Sequence, residues 1–235
     1  MANAKRGFMP TDERDFGEKR LPVLRAAAEE VYYLLNRGYP VNSATTFVGD
    51  RHQLSERQRL ALARTVSPKE RIDSRLERRV ESIAGETIYI DGFNVIIGLE
   101  IAFSDSMLFK CMDSTVRDLA GLHGTYRLIK QTDQAVKALL DALEELKVGR
   151  AVIYLDRPVS NSGRLKQRIY ELADGISFEL EVQTEDRVDT LLKTKPLIAS
   201  ADAIILDECD KWFDLAGYTI KREFGEYPFV LIHNL

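Results

Sequence analysis

The 235-residue chain is 45% hydrophobic and 30% charged with a net charge of −4, a composition that suits one large domain or two small ones with a sizeable core. It has no apolar run of eighteen residues and opens on a stretch charged throughout (MANAKRGFMPTDERDFGEKR), which argues against a membrane span or signal peptide and for a cytoplasmic protein. Its two cysteines, Cys111 and Cys209, stand far apart without partners at a zinc spacing, which argues against a disulfide framework or a cysteine zinc site.

Residues 1–20 mix Gly, Pro and charges without periodicity and are expected to form a loose arm. Val23, Leu24, Ala27, Val31, Leu34 and Leu35 keep helical spacing, so a helix is expected over 21–37, ended by Asn36-Arg37-Gly38-Tyr39-Pro40. A short helix is expected over 42–48. Ser55 with Gln58 three residues later forms a capping box for a third helix, and Ser67-Pro68-Lys69-Glu70 signals a fourth. Residues 21–84 thus read as a small helical domain. Within 51–80, nine Lys or Arg stand against four acids, a local charge of +5 that leaves −9 for the remainder. A basic helical part beside an acidic part suits a protein that holds a polyanion with one and cations with the other. The segment GDRHQLSERQRLALAR has the outline of a helix-turn-helix, with Arg57, Arg59 and Arg64 as candidate phosphate contacts. A helical bundle packed on the second domain explains the same pattern.

The periodicity changes at Thr87, which puts a domain boundary within 82–86. TIYIDGFNVIIGLE reads as a buried strand, a tight turn and a helix. In open α/β folds the C-terminal strand ends face the ligand crevice, so Asp91 is placed like a site residue, although Asp-Gly is also ordinary turn chemistry. Asn94 can cap the helix or turn its amide to a ligand, and Gly92 lets the backbone come close. Residues 104–124 form a long irregular stretch before a helix expected over 126–147. Arg117, His123, Tyr126, Arg127 and Lys130 are candidates to contact phosphate or a base, with His123 equally readable as a buried structural histidine. AVIYL at 151–155 is a second buried strand, followed by Asp156. Ser160, Asn161, Ser162 and Arg164 then lead into a helix expected over 165–173 and form either a candidate anion site or an ordinary serine cap. A third strand at 177–183 runs into Thr184-Glu185-Asp186-Arg187-Val188-Asp189, which places Asp186 and Asp189 one helical turn apart. A fourth strand is expected over 197–201, ending at Asp202, with a helix over 204–215. The stripe Ile205, Cys209, Trp212, Ala216 favours this register over one ending at Asp207. Residues 229–232 are expected to supply a last strand.

Asp91, Asp156 and Asp202 at strand ends, with Asp186 and Asp189 at a helix start, would meet at one crevice. Several carboxylates do not stay ionised together unless a cation neutralises them, and oxygen donors without a Cys or His cluster select Mg²⁺ or Mn²⁺. The IDGFNVI, YLD, EDRVD and IASAD segments resemble the four acidic motifs of PIN-like nucleases, closest to their NYN branch, over about residues 86–220. The resemblance implies a Rossmann-like parallel sheet with helices on both faces for residues 85–235, preceded by the small all-α domain. It also implies metal-dependent cleavage of RNA, with Asp91, Asp186 or Asp189, and Asp202 as metal ligands and Asp156 as an accessory acid. The chain departs from the pattern at Ala201, where a hydroxyl residue often precedes the last acid, and in the long insertion after the first helix. The N-terminal helices resemble a module found beside such domains in uncharacterised prokaryotic proteins. RNA is the expected partner, with a homodimer left open. Two alternatives stand beside this reading: a non-catalytic RNA- or nucleotide-binding protein, and a phosphatase-type α/β enzyme with Asp91 as nucleophile.

Overall fold

The computed structural model describes residues 5–120 and 124–234. Its N-terminal part holds helices α1 (Asp12–Phe16), α2 (Leu21–Leu35), α3 (Val41–Arg51), α4 (Glu56–Thr65) and α5 (Lys69–Glu77). The capping box at the start of α4 is present: the Ser55 hydroxyl accepts from the Gln58 amide, and the Gln58 side chain accepts from the Ser55 backbone N–H. The expectation of a loose arm over 1–20 is corrected for the described residues. Helix α1 buries Phe16 edge-on to Phe109 at 5.0 Å between centroids, and Asp12 is held against Arg57.

The strands β1 (Thr87–Asp91), β4 (Arg150–Asp156), β5 (Glu179–Glu185) and β6 (Ile198–Ala199) form a parallel sheet in the order β5-β4-β1-β6. Alternation of side chains puts Ile88, Ile90, Ala151, Ile153 and Leu155 into a core under α6 (Gly92–Ala102), α7 (Lys130–Glu145), α8 (Ser162–Leu172) and α11 (Leu215–Phe224). Tyr89, Val152, Tyr154 and Ile198 face a second core with α9 (Val188–Leu192), α10 (Ala203–Leu206) and Trp212. The fold is therefore α/β, a parallel sheet with helices on both faces, preceded by a helical region. From β1 the chain winds outward through β4 to β5, then returns past β1 to β6. The direction of winding reverses between β1 and β6, and the crevice outside their C-terminal ends is where such sheets bind ligands.

Three expectations change in the second half. The long stretch over 104–124 contains a hairpin, β2 (Phe109–Lys110) paired antiparallel with β3 (Val116–Arg117). The expected helix over 204–215 is broken. After α10 the backbone turns back to the sheet, where the Phe213 amide donates to the Ile198 carbonyl and the Ile198 amide to the Lys211 carbonyl, so α11 begins only at Leu215. Residues 229–232 form no strand. Val230 makes one bridge to Phe109, and Ile232 is buried in the core of the helical region. Among the described residues, no helix is long and apolar enough to cross a membrane.

Candidate active site

Strand β1 delivers Asp91 to the reversal point, where its side chain caps α6 by accepting from the Asn94 amide at 3.3 Å. Its other oxygen accepts from the Ser200 hydroxyl at 2.9 Å. Ser200 in turn accepts from the Asp202 amide at 3.1 Å, and the Asn94 side-chain oxygen accepts from the Ala201 amide at 2.8 Å. The strand ends of β1 and β6 are thereby laced together through Asp91, Asn94 and Ser200. Asp202 caps α10, accepting from Ile204 at 2.7 Å and Ile205 at 3.2 Å. Asp156 ends β4, half-buried, and Asp189 in the first turn of α9 is open to solvent along part of its side chain while its carboxyl is partly desolvated by the cleft.

These four aspartates line one cleft of about 1270 Å³. Its opposite wall comes from the helical region: Leu35, Tyr39, Val41, Arg64 and Arg71. Burial pushes the Asp91 carboxyl up to about 7; the bonds from Ser200 and Asn94 oppose that rise, and the charges of Asp156 and Asp189 add to it. Asp156 is raised by burial and by Asp189, and Asp189 by burial and by Asp202. Mutual repulsion thus runs through the whole set. The donors suit a hard divalent cation in kind, being carboxylates without Cys or His. Among the described residues, however, no three His, Cys, Asp or Glu side chains are grouped closely enough to hold a metal ion.

Several candidates lie elsewhere. Asp186 turns out of the cleft and pairs with Arg157 at 3.0 Å. Asp207, the terminal acid of the other register, lines the cleft wall but is bound by Arg71 and Arg75. Arg57 is engaged by Asp12 and by the carbonyls of Gly7 and Leu119, so it does not present a free cation. Arg59 is likewise held by Asp50 and the carbonyls of Leu54 and Thr46. Arg64 reaches the Asp118 carbonyl and lines the cleft. Tyr126 is buried, its hydroxyl donating to Glu100 at 2.7 Å, and is not a cleft residue.

The loop expected as an anion site uses its polar groups internally. Ser160 exchanges bonds with the Tyr126 amide and carbonyl, the Asn161 amide donates to the same carbonyl, and the Ser162 hydroxyl donates to the Arg157 carbonyl. Arg164, Arg127 and Lys130 are exposed and outside the cleft lining. His123 lies outside the described residues. Arg117 does line the cleft, but it is buried and three of its donors are taken by Ala201, Arg64 and Asp113. Sequence reasoning overlooked Ser200, whose hydroxyl stands one position before Ala201; the signal was the Ser-Ala-Asp run at the end of β6. It also overlooked Asp113 and Arg75, whose partners lie too far away in sequence to leave a local pattern.

The fold and the site define a doubly wound α/β protein with an acidic cleft at its reversal point, closed on one side by a helical module. The chain belongs to the family described as a domain of unknown function (DUF5616), whose model matches residues 80–218. A second family model, a protein of unknown function (DUF434), matches residues 23–78. The chain is similar to the uncharacterized protein MJ0935 of Methanocaldococcus jannaschii, with 37% identity over 185 residues, 78% of this chain and 88% of the relative. No solved structure matches the chain.

Proposed function

We propose that this chain is a metal-dependent ribonuclease of the PIN-like kind, nearest the NYN branch, acting in the cytoplasm. The observation that carries the reading is the convergence of Asp91, Asp156, Asp189 and Asp202 on one cleft, where Asp156 and Asp189 raise Asp91, Asp189 raises Asp156, and Asp202 raises Asp189. Asp91, Asp189 and Asp202, which do not stand close enough together as they are, would have to draw in around Mg²⁺ or Mn²⁺ to hold it, with Asp156 beside them. Such an ion, when bound, would supply charge neutralisation and water activation for phosphodiester hydrolysis. Ser200 and Asn94 fix the Asp91 carboxylate plane, and a cation beside it would favour the ionised form that burial and the neighbouring acids otherwise disfavour. Arg64 and Arg71 stand on the facing wall, engaged by Asp118 and Asp207 respectively, and an RNA backbone would have to compete with those partners for their charge.

A second reading, an RNA-binding protein without catalysis, is favoured by the absence of a three-donor group among the described residues. The phosphatase alternative is the weakest. A nucleophilic carboxylate needs to be ionised and free, whereas Asp91 is held up to about 7 with both oxygens engaged.

Calorimetric titration with Mn²⁺, alongside cleavage of end-labelled single-stranded RNA with and without chelator, separates the readings. The parent should bind Mn²⁺ and cleave in a chelator-sensitive way, and Asp91→Asn should lose at least about tenfold in affinity. Equal Mn²⁺ affinity in both proteins would sink the shared metal site. RNA retention without Mn²⁺ binding or cleavage would establish the second reading.

A further inference from the structure

Two buried arginines link the helical module to the acidic loop. Arg75, from α5, donates to Asp113 at 2.7 Å and Ser67 at 3.0 Å through Nη1, and to Asp207 at 2.7 Å through Nε. Asp113, in the turn of the β2-β3 hairpin, also receives the Thr115 hydroxyl at 2.6 Å and Arg117 Nη2 at 2.6 Å. Burial alone would raise this carboxyl, yet Arg117, Thr115 and Arg75 hold it down at about 2, so it is a firmly ionised anchor between two guanidiniums. Arg117 spans the gap that remains: Nη1 donates to the Arg64 carbonyl at the end of α4, and Nε to the Ala201 carbonyl, each at 2.6 Å.

Ala201 is the residue between Ser200, which holds Asp91, and Asp202. Its amide is taken by Asn94 and its carbonyl by Arg117, so the peptide is gripped from both sides. The two grips differ in origin. Asn94 belongs to the sheet's own α6, whereas Arg117 refers the loop to α4 and, through Asp113, to α5. A guanidinium suits this task because its planar fork serves three acceptors in fixed directions, which an ammonium on a flexible stem does not.

We infer that Arg117 is a positioning residue: it sets the Ser200–Asp202 segment against Asp91, so the helical module forms part of the acidic site's scaffold and is not a separate nucleic-acid-binding appendage. The role given to Asp202 rests on the metal-dependent reading above; the mechanical linkage does not. Arg117 lines the cleft, but its donors are spent on Ala201, Arg64 and Asp113, and it acts on the acidic site through the Ala201 carbonyl.

The test compares the full-length parent with Arg117→Ala and Arg117→Lys, the latter keeping a cation beside Asp113 if the alanine variant fails to fold. Amide hydrogen exchange is read at Ala201, Asp202, Ile204 and Ile205, with Ile153 and Tyr154 of β4 as internal controls, and Mn²⁺ affinity is measured well below the melting temperature. The expected result is exchange at least about tenfold faster at the four loop amides with the β4 amides unchanged, and Mn²⁺ affinity weakened by about tenfold. Unchanged loop exchange in a folded Arg117→Lys variant overturns the inference. So does acceleration shared equally by β4, which would make Arg117 a general packing residue, and so does faster loop exchange with undiminished Mn²⁺ affinity. A parent that binds no Mn²⁺ removes the metal-dependent reading, while the exchange contrast still decides the linkage.

Discussion

Burial of the Asp91 carboxyl removes the water that would stabilise its charge, and the nearby Asp156 and Asp189 deepen the penalty. Its folded-state value of about 7 lies above the ordinary 3.8, so the folded protein binds this proton more tightly than the unfolded chain. The resulting stabilisation is fully present below pH 3.8 and is lost as pH rises through about 7, at most ~4 kcal/mol from this one group. Asp91→Asn, which cannot ionise, should therefore be more stable than the parent at pH 8 and show a smaller loss between pH 4.5 and 8. Urea denaturation of both proteins at the two pH values measures this, and parallel pH dependence would refute it. Asp113 has the opposite sign: its contribution is present above pH 3.8 and is lost only as pH falls through about 2. At this scale Asp91 and Asp156 were legible because each ends a run rich in β-branched and aromatic residues. Arg57 and Arg59 face carbonyls and carboxylates of their own chain, as the packed-bundle reading has it, and a charge count shows nothing of such internal partners.

The joint between β1 and α6 shows how an element's start can depend on a missing side chain. A Cβ on Gly92 would meet Leu155 Cδ2 at 2.6 Å, Ile153 Cγ2 at 2.7 Å and the Tyr154 carbonyl at 2.8 Å, so α6 begins in contact with β4. At Gly98, six residues on in the same helix, a Cβ would meet nothing within 4 Å. Gly92→Ala should cost about 1–3 kcal/mol through overpacking, while Gly98→Ala should be neutral or stabilise by up to about 1 kcal/mol through helix propensity. Chemical denaturation of the pair checks the contrast, and equal effects would mean that the close approach does not matter. The strands and long helices were readable from their periods of 2 and 3.6. The two-residue strands β2 and β3 were too short to carry a period, and the break after α10 arises because 211–213 pair with the sheet edge, a tertiary gain that overrides the apolar stripe.

Across the whole molecule, the excess positive charge at 51–80 serves largely to join parts. Arg57 ties α4 to α1 and to the Leu119 carbonyl, while Arg75 and Arg78 reach Asp207 and the Cys209 carbonyl beyond α10. Arg57→Ala should therefore cost about 2 kcal/mol or more by stranding Asp12, yet leave the salt dependence of RNA binding unchanged. Urea denaturation together with binding at several ionic strengths tests both halves; a flatter salt slope at undiminished stability would return Arg57 to the nucleic-acid interface. The core of the helical region also takes in Phe109, Leu119 and Ile232, contributed by segments far along the chain. A polypeptide leaves the ribosome N-terminus first, so α2, α3 and α4 emerge long before the residue that fills the last place among them. The core of the helical module is complete only once residue 232 has been made. The step between the two family matches at residues 78 and 80 is thus a division of the sequence and not of the folding unit.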